Sequence, residues 1–497
     1  MSEHQESNVQ RRIFYAIVWG LLLFSLIVRV ALTLNRNFDW DEFQHLHAAW
    51  MVSEQYLPYK DFWENHTPLL YYLLAPVVRF FGEGTAVLLI ARALMSAAAL
   101  GILYVTYALA RLNYDRKTSI LAVVVLSYMA IFVQKSIEIR PDQLLALFWL
   151  ASLWLAMLAV ERQKSHGLFY AGLLLGIAFL FSPKALFPYG AMSLTFFVPT
   201  YFHKAPRQWL YFIKLQSLYT LGFLIPVGMC LAFFYQQHAV REFITATVLE
   251  NLNYPDIYKP TYLLNLRHMS FFLLSAMGLV IAGRTLRKST PTALQRQLML
   301  LSPGLSLMLM FLFFMPAPYS QSTLLFAPIL AIYAAAALRK SIDRVMTQSL
   351  SPTSRKARRS RAINLLALAC TMAAALLIPC WALFKAQPFT KTNHDQLERM
   401  NSVLKLTQPT EAVFDGSCCY IFRPQAYYYG SLVTGIVWRI RQGEIRQDIP
   451  ESLLRNNCRV IIYDERVATL PESVQAFLKT YYRPSGIAEV YIANGQP

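Results

Sequence analysis

The chain has 497 residues, of which 56% are hydrophobic, 14% aromatic and only 15% charged. Soluble proteins carry roughly 25% charged residues, so this composition excludes a disordered or collagen-like chain and indicates an integral membrane protein. The formal net charge of +18 would suggest nucleic acid in a soluble protein, but in a membrane protein its meaning depends on where the charge lies.

Apolar stretches long enough to cross roughly 30 Å of hydrocarbon recur along the chain. The sequence predicts spans near 13–33, 85–110, 118–134, 143–160, 168–182, 185–201, 209–235, 268–283, 297–315, 322–338 and 363–384. A shorter run, 68–82, is interrupted by Pro76 and Arg79 and is predicted to be a juxtamembrane or re-entrant helix. We therefore expect a polytopic α-helical membrane protein with about 11–13 transmembrane helices, and a membrane domain over residues 1–385.

Lysine and arginine residues predict the sidedness of these spans. Of 46 such residues, 21 fall in the segments 1–12, 111–117, 161–167, 202–208, 284–296 and 339–361. The positive-inside rule makes these segments cytoplasmic. The N-terminus is then inside, the loop at about 34–67 is outside and the C-terminal region is outside. We expect a bacterial cytoplasmic membrane.

A basic run, Arg355-Lys356-Ala357-Arg358-Arg359-Ser360-Arg361, stands out in the last of these segments. We interpret it as a topology anchor for anionic membrane lipids. No aromatic residues are interleaved with it, so we expect no nucleic-acid partner.

The region 386–497 has a different character. Strand-length apolar runs at 412–414, 460–463 and 488–492 alternate with helix-like stretches at 394–406 and 471–482, which predicts a small extracytoplasmic α/β domain. Six cysteines form no metal-binding spacing, and a disulfide from Cys458 to Cys418 or Cys419 is possible but not required.

The external loops hold the candidate functional residues. Asp39, Asp41 and Glu42 lie within four positions at the end of the first span, flanked by aromatic residues. A carboxylate at such a boundary can act as a base, although Asp41 could equally be an N-cap for a helix over 43–52.

Two later external loops supply cations. In one, Arg140 and Asp142 flank Pro141, which suits the first turn of a helix as well as a functional role. In the other, Lys184 lies between two spans with no acidic neighbour in sequence, so it either snorkels or binds an anion. Such a set suits a phosphate-bearing lipid presented from the membrane.

Metal binding is left open by the sequence. No cofactor is required, but Glu64 and His66 could bind a divalent ion together with a distant ligand. His45 and His47 are two positions apart, so on a helix they face different directions and a shared ion is not expected.

Taken together, these loops resemble the polytopic glycosyltransferases of the GT-C superfamily, in particular the branch with protein O-mannosyltransferases and lipid A aminoarabinose transferases. The resemblance covers about 12–385 and the general plan of the tail. It is carried by Asp41-Glu42 within Asp39-Trp40-Asp41-Glu42-Phe43, by the stretch from Glu64 to Tyr72, by Ala91-Arg92, by Arg140-Pro141-Asp142 and by Ser182-Pro183-Lys184.

The resemblance implies an inverting glycosyltransferase that moves a sugar from a polyprenyl-phosphate donor to an acceptor hydroxyl on the extracytoplasmic face. The acceptor would be a glycan, a lipid or a protein. The implied roles fall into three groups: catalysis for Asp41, Glu42 and Asp142, donor-phosphate binding for Lys184, Arg92 and Arg140, and substrate binding for Asp39, Glu64, His66, Tyr319 and Gln321.

This chain departs from the family pattern at three positions. Ala185 replaces a glycine, Thr67 replaces a proline and His66 stands where another basic residue is common. The sequence also shows no counterpart of the large lumenal domain of protein O-mannosyltransferases, which argues against protein mannosylation and leaves the donor sugar open.

Two other classes of function remain. A transporter or flippase of a lipid-linked sugar would place polar groups near the membrane midplane and show broken helices in paired positions, whereas the ionisable clusters here lie mainly at one interface. A non-catalytic assembly subunit would not depend on the acidic residues.

Overall fold

The computed structural model describes residues 8–203, 207–253, 260–286, 289–347, 354–385 and 389–494. Several predicted cytoplasmic segments and the predicted boundary at 385/386 therefore lie partly outside the described residues. The α-helices before that boundary are α1 (Asn8–Asn35), α2 (Trp40–Ser53), α3 (Leu69–Phe81), α4 (Ala86–Arg111), α5 (Arg116–Tyr128), α6 (Ala130–Lys135), α7 (Pro141–Glu161), α8 (His166–Phe181), α9 (Leu186–Thr195), α10 (Phe197–Phe202), α11 (Gln208–Gln236), α12 (Val240–Ile244), α13 (Glu250–Leu252), α14 (Leu266–Leu286), α15 (Pro291–Phe313), α16 (Ala327–Met346), α17 (Arg355–Met372) and α18 (Ile378–Lys385).

Each predicted span coincides with a helix or a helix pair. In the described part of the chain, seven helical segments are long and apolar enough to cross a membrane by length and composition: Asn8–Asn35, Ala86–Arg111, Pro141–Glu161, Gln208–Gln236, His268–Leu286, Pro291–Phe313 and Arg355–Lys385. Three of the other predicted spans match shorter or interrupted helices, and the fourth, 322–338, matches the 20-residue α16. One of the three breaks at Met129, whose extended backbone separates α5 from α6.

Helices α8 and α11 pack at close range through glycine. A Cβ added at Gly172 would lie 2.0 Å from the carbonyl oxygen of Tyr219, and one at Gly222 would lie 2.0 Å from that of Phe169. Small residues let helix backbones approach in this way within a membrane bundle. This contact, with α7 on the other side of α8, fixes the position of the Ser182–Lys184 loop that follows α8.

The predicted helix at 68–82 is present as α3, which packs against α2 rather than standing alone. Pro76 lies inside α3. Most residues of α2 are buried, on more than one face of the helix. Helices α2 and α3 therefore form a packed layer at one end of the long helices.

The C-terminal region contains the predicted α/β unit. Its helices are α19 (His394–Leu406), α20 (Thr434–Arg441), α21 (Ile449–Arg455) and α22 (Glu472–Tyr481), and its strands are β1 (Val413–Phe414), β2 (Val460–Ile462), β3 (Tyr482–Pro484) and β4 (Val490–Ala493). The sheet order is β1-β2-β4-β3, with β1 and β2 parallel and the other pairs antiparallel. The sequence predicted α19, α22 and three of the strands, but not α20, α21 or β3.

All six cysteines are free thiols in the described residues. The optional disulfide from Cys458 to Cys418 or Cys419 is therefore absent. Cys418, Cys419 and Cys458 are each buried.

Candidate active site

The first turn of α2 places three acidic residues in three different environments. Asp39 is the N-cap: its carboxylate accepts from the backbone N–H of Asp41, and the Glu42 carboxylate reaches back to the backbone N–H of Asp39, which completes a capping box. The alternative role of Asp41 as N-cap is therefore wrong by two residues. Because Asp39 caps the helix, the carboxylate of Asp41 is available for other contacts.

Glu42 lies in the protein interior. It is fully buried and forms a two-pronged ion pair with Arg92, with Nε–Oε2 and Nη2–Oε1 distances of 2.7 and 2.6 Å. Arg92 also donates to the carbonyl oxygens of Arg36 and Asn37 at 2.6 and 3.0 Å. Its guanidinium lies 3.8 Å from the centre of the Phe38 ring.

These contacts correct the implied roles of Glu42 and Arg92. Neither residue reaches the cavity described below, and Arg92 has no exposed surface with which to bind a phosphate. Both residues instead hold the start of α2 against α4 and the first external loop.

Arg140 joins the second external loop to the first. Its Nη2 donates to Asp39 Oδ1 at 2.6 Å and its Nη1 contacts Asp41 Oδ2. Its Nε donates to Glu138 at 2.7 Å. One guanidinium thus fixes two carboxylates that lie about a hundred positions earlier in the chain.

Glu138 was not predicted as a site residue, and it organises the cations of this cluster. It is fully buried and accepts from Arg36, Lys135 and Arg140 at 3.0, 2.9 and 2.7 Å. Lys135 also lies 3.4 Å from Asp39 Oδ2. Both Lys135 and Glu138 lie in the same external loop as Arg140, but the sequence alone offered no reason to prefer them.

Lys184 pairs with Asp142. The Nζ–Oδ1 distance is 2.8 Å, Asp142 is nearly fully buried and Lys184 retains a fifth of its side-chain surface. The sequence showed no acidic neighbour for Lys184 because its partner lies 42 positions away, at the first turn of α7.

One cavity of about 590 Å³ brings most of the predicted residues together. Asp39, Asp41, His66, Arg140, Lys184, Tyr319 and Gln321 all line it. Asp142 and Glu64 do not line the cavity. They contact the lining residues Lys184 and His66, respectively. The remaining wall includes residues that sequence reasoning missed: Gln44, Asn65, Lys135, Ser182, Leu186, Phe187, Thr247, Val248, Asn251, Leu252, Met315, Thr434 and Arg466.

A second cavity, of about 650 Å³, lies among residues of the predicted cytoplasmic loops. Its wall includes Glu161 and Arg296, which are paired at 2.7 Å. Glu161 is the one acid among its described lining residues, whereas the first cavity is lined by two acids and four cations, so the chemistry points to the first cavity.

The charge state of Asp41 follows from its neighbours. Burial is the largest single effect and raises the pKa of this carboxyl, and the Asp39 carboxylate raises it further, but Arg140, Arg466 and His45 together lower it by more. The pKa of Asp41 is therefore below its usual value. The carboxylate is ionised throughout the neutral range and can accept a proton.

His45, Glu64 and His66 form a cluster that could hold a divalent metal ion. One ligand atom from each lies within 4.8 Å of the others. His45 Nε2 is buried without a hydrogen-bond partner in the described structure, and burial lowers the pKa of His45 to about 4, so the ring is neutral as metal binding requires. His45 is thus placed where it could act as the third ligand that the sequence prediction required beside Glu64 and His66.

Groups behind this cluster fix the orientation of its side chains. The Gln44 amide donates to both oxygens of Glu64 at 3.1 and 3.0 Å, and His66 Nδ1 lies 3.1 Å from Glu64 Oε1. The Tyr71 hydroxyl lies 3.4 Å from His45 Nδ1. Such supporting contacts are typical of metal-ligating histidines and carboxylates.

The helical bundle, the buried α2–α3 layer and the C-terminal sheet together form a polytopic membrane protein that shares its fold with the two solved structures described next. A family model described as dolichyl-phosphate-mannose-protein mannosyltransferase matches residues 65–229, which include His66, Arg140 and Lys184. No curated protein matches the sequence significantly.

Two solved structures illustrate the likeness. The ArnT protein of Cupriavidus metallidurans, solved with undecaprenyl phosphate, aligns with a TM-score of 0.64 at 13% identity, over 96% of this chain and 98% of its own. The oligosaccharyltransferase AglB of Archaeoglobus fulgidus, solved with an inhibitory peptide and a dolichol-phosphate, aligns with a TM-score of 0.57 at 14% identity, over 96% of this chain and 74% of its own. The predicted resemblance to GT-C glycosyltransferases is confirmed at the level of the fold.

Proposed function

We propose that the protein is an inverting membrane glycosyltransferase that moves a sugar from a polyprenyl-phosphate donor to an acceptor hydroxyl at the extracytoplasmic face. The observation that carries this proposal is the composition of the cavity wall. An ionised carboxylate, Asp41, and a partly exposed cation, Lys184, line the same space. Transfer from a phosphate leaving group needs a base for the acceptor and positive charge for the departing phosphate.

In the proposed reaction, the acceptor oxygen attacks the anomeric carbon as the bond to the phosphate oxygen breaks. The electron pair of that bond leaves with the lipid phosphate, and Lys184 offsets the added negative charge. Asp41 accepts the acceptor proton. Arg140 holds the Asp41 carboxylate, and Asp142 holds Lys184.

The remainder of the cavity suits a lipid-linked sugar. Leu186, Phe187, Val248, Leu252 and Met315 give it an apolar side for the prenyl chain, and Tyr319 and Gln321 add polar groups for the sugar. A divalent ion held by His45, Glu64 and His66 would add positive charge at the same wall.

The comparisons support this proposal. The ArnT structure contains undecaprenyl phosphate and the AglB structure contains a dolichol-phosphate, so two proteins of this fold bind polyprenyl phosphates. The acceptor class of this chain, whether glycan, lipid or protein, is open in the proposal. The comparisons give no support to a transporter or flippase.

Replacement of Lys184 tests the donor site. We expect Lys184→Gln to weaken binding of a polyprenyl-phosphate sugar by roughly 10- to 150-fold, since a charge-assisted contact to phosphate contributes about 1.5–3 kcal/mol, and to leave the fold intact. Binding to the purified protein in detergent would be measured by displacement of a fluorescent donor. Asp142→Asn separates charge from position: it keeps the cation in the cavity but removes the carboxylate that holds Lys184, so we expect a smaller loss of donor affinity than in Lys184→Gln. Unchanged donor affinity in Lys184→Gln would remove Lys184 from the donor site.

The cellular setting belongs to the proposal as well. We place the N-terminus in the cytoplasm of a bacterial cell, the C-terminal domain outside the inner membrane and the basic run at 355–361 near anionic lipids. This run begins α17, where its side chains are largely exposed.

Cysteine labelling tests this orientation. Gly84→Cys has open space around its new side chain and should react with a membrane-impermeant maleimide in spheroplasts. Lys164→Cys lies in an exposed turn of a predicted cytoplasmic segment and should react only after the membrane is permeabilised. The reverse pattern would mean either that 68–82 crosses the membrane fully or that the whole topology is inverted. Labelling of both positions from outside would mean that one of the three predicted spans between them does not cross.

A further inference from the structure

The C-terminal domain reaches the proposed active site. Arg466, Val433 and Thr434 line the same cavity as Asp41, although they lie about four hundred positions later in the chain. Of these three, Arg466 carries the charge. No sequence motif singled it out.

Hydrogen bonds to the buried carboxylate of Asp464 fix the backbone around Arg466. Asp464 follows β2 and is 3% exposed. Its Oδ1 accepts from the backbone N–H groups of Arg466 and Val467 at 3.0 and 2.9 Å, and its Oδ2 accepts from the backbone N–H of Gly416 at 3.0 Å. The loops that follow the parallel strands β1 and β2 are thereby joined.

The side chain of Arg466 passes close to Gly416. A Cβ at Gly416 would lie 2.5 Å from the Arg466 Cβ and 2.7 Å from Asp464 Oδ1, so only glycine fits there. The Arg466 Nη1 donates to the Gly416 carbonyl oxygen at 3.1 Å and to the Ser431 hydroxyl at 3.2 Å. Three separate segments of the domain therefore set the direction of this guanidinium.

The guanidinium ends at the acidic cluster of α2. Arg466 Nη2 lies 3.6 Å from Asp41 Oδ1, and Arg140 Nη1 contacts the other oxygen, Oδ2. The adjacent residue, Glu465, accepts from the Trp40 indole at 3.0 Å. The C-terminal domain thus contacts both Asp41 and the preceding residue, Trp40.

We propose that Arg466 is a positioning residue for Asp41, by which the C-terminal domain sets the orientation of the base. This inference rests on the proposed function. Arg140 contacts Asp41 through one oxygen only, Oδ2, because its Nη2 group binds Asp39. A single contact does not fix the rotation of the Asp41 carboxylate about the bond to its side chain. The second cation on Oδ1 restrains that rotation and leaves the carboxylate edge toward the cavity for the acceptor hydroxyl.

Arg466→Met tests the inference in the full-length protein. We expect kcat for sugar transfer to fall by roughly 10- to 100-fold, as is typical when a catalytic group is misplaced, with little change in the KM for the donor. Arg466→Lys should recover part of the rate because it restores the charge without the fixed geometry of guanidinium. Arg455→Met is the control, since Arg455 is 68% exposed at the end of α21 in the same domain.

The pH profile separates positioning from mere support of the fold. The groups that face Asp41 are Arg140, Asp39, Arg466 and His45. Removal of the positive charge of Arg466 raises the pKa of Asp41, so the acid limb of kcat/KM should move to higher pH in Arg466→Met. A variant that only loses folded protein would keep the wild-type limb.

The outcomes distinguish the inference from the function on which it rests. If wild type transfers sugar and Asp41→Asn does not, while Arg466→Met retains the wild-type kcat and pH profile, the positioning role is wrong and the proposed function stands. A raised KM for the donor with unchanged kcat would also overturn it, because Arg466 would then bind substrate. If wild type transfers no sugar from any polyprenyl-phosphate donor, the proposed function itself fails.

Discussion

Asp41→Asn is expected to reduce sugar transfer by roughly 10²- to 10⁴-fold, the range for loss of general base catalysis. Asparagine has nearly the same shape, so α2 and its capping box should persist, but the amide cannot accept the acceptor proton. Transfer would be measured in membranes with labelled polyprenyl-phosphate sugars, together with donor binding, which should change little because the donor phosphate is assigned to Lys184.

Two control variants bracket the effect of Asp41→Asn. Glu54→Gln removes an exposed acid at the opposite end of α2 and should retain wild-type activity. Asp39→Asn keeps the helix cap, since asparagine caps as well as aspartate does, and should cost less activity than Asp41→Asn. If Asp41→Asn is fully active while Asp39→Asn is not, the base is Asp39.

Arg92→Met is expected to destabilise the protein by about 3–5 kcal/mol, which is the usual cost of breaking a buried ion pair. The substitution would leave the fully buried Glu42 carboxylate without its counter-ion and would remove the guanidinium that donates to the Arg36 and Asn37 carbonyl oxygens. Denaturant unfolding in detergent, followed by circular dichroism, would measure the loss. Arg111→Met, at the exposed end of the same helix, should be close to wild type.

A double-variant cycle with Glu42→Met sharpens this test. The double variant should be less destabilised than the sum of the two single variants, because each single change leaves one charge unpaired. Wild-type stability in Arg92→Met combined with reduced donor affinity would reverse our assignment and return Arg92 to the donor site.

The family resemblance assigned Arg92 and Glu42 to the active site, whereas the structure buries them as an ion pair away from the cavity. Burial of an ionisable residue inside a membrane span costs free energy, so such a residue is taken to be functional by default. The same cost is tolerated where an ion pair stabilises the fold. Which of the two applies depends on the partner, and Glu42 lies 50 positions away from Arg92. No local pattern reports such a pairing.

The identity of the residues that line the cavity was more predictable than the pairing of the buried charges. Asp41, His66, Arg140, Lys184, Tyr319 and Gln321 were all expected from loop position and from the family resemblance, and all line one cavity. Their common location followed from sidedness, because every one of them lies in a loop that the positive-inside pattern assigns to the same face.

Hydrophobic run length and charge asymmetry are local properties of a chain, and they suffice to predict its spans, a strand-rich tail and one polar face. The sequence by itself therefore determined a polytopic membrane protein with an α/β region at its C-terminal end, and the order of its motifs pointed to the GT-C fold. The tertiary structure decided which charges meet. Arg140 bridges Asp39 and Asp41, Glu138 gathers three cations, His45 joins Glu64 and His66, and Arg466 of the C-terminal domain reaches Asp41. Coulomb interactions between such groups are governed by distance in space and by burial, and neither quantity can be read from separations of up to four hundred residues along the chain.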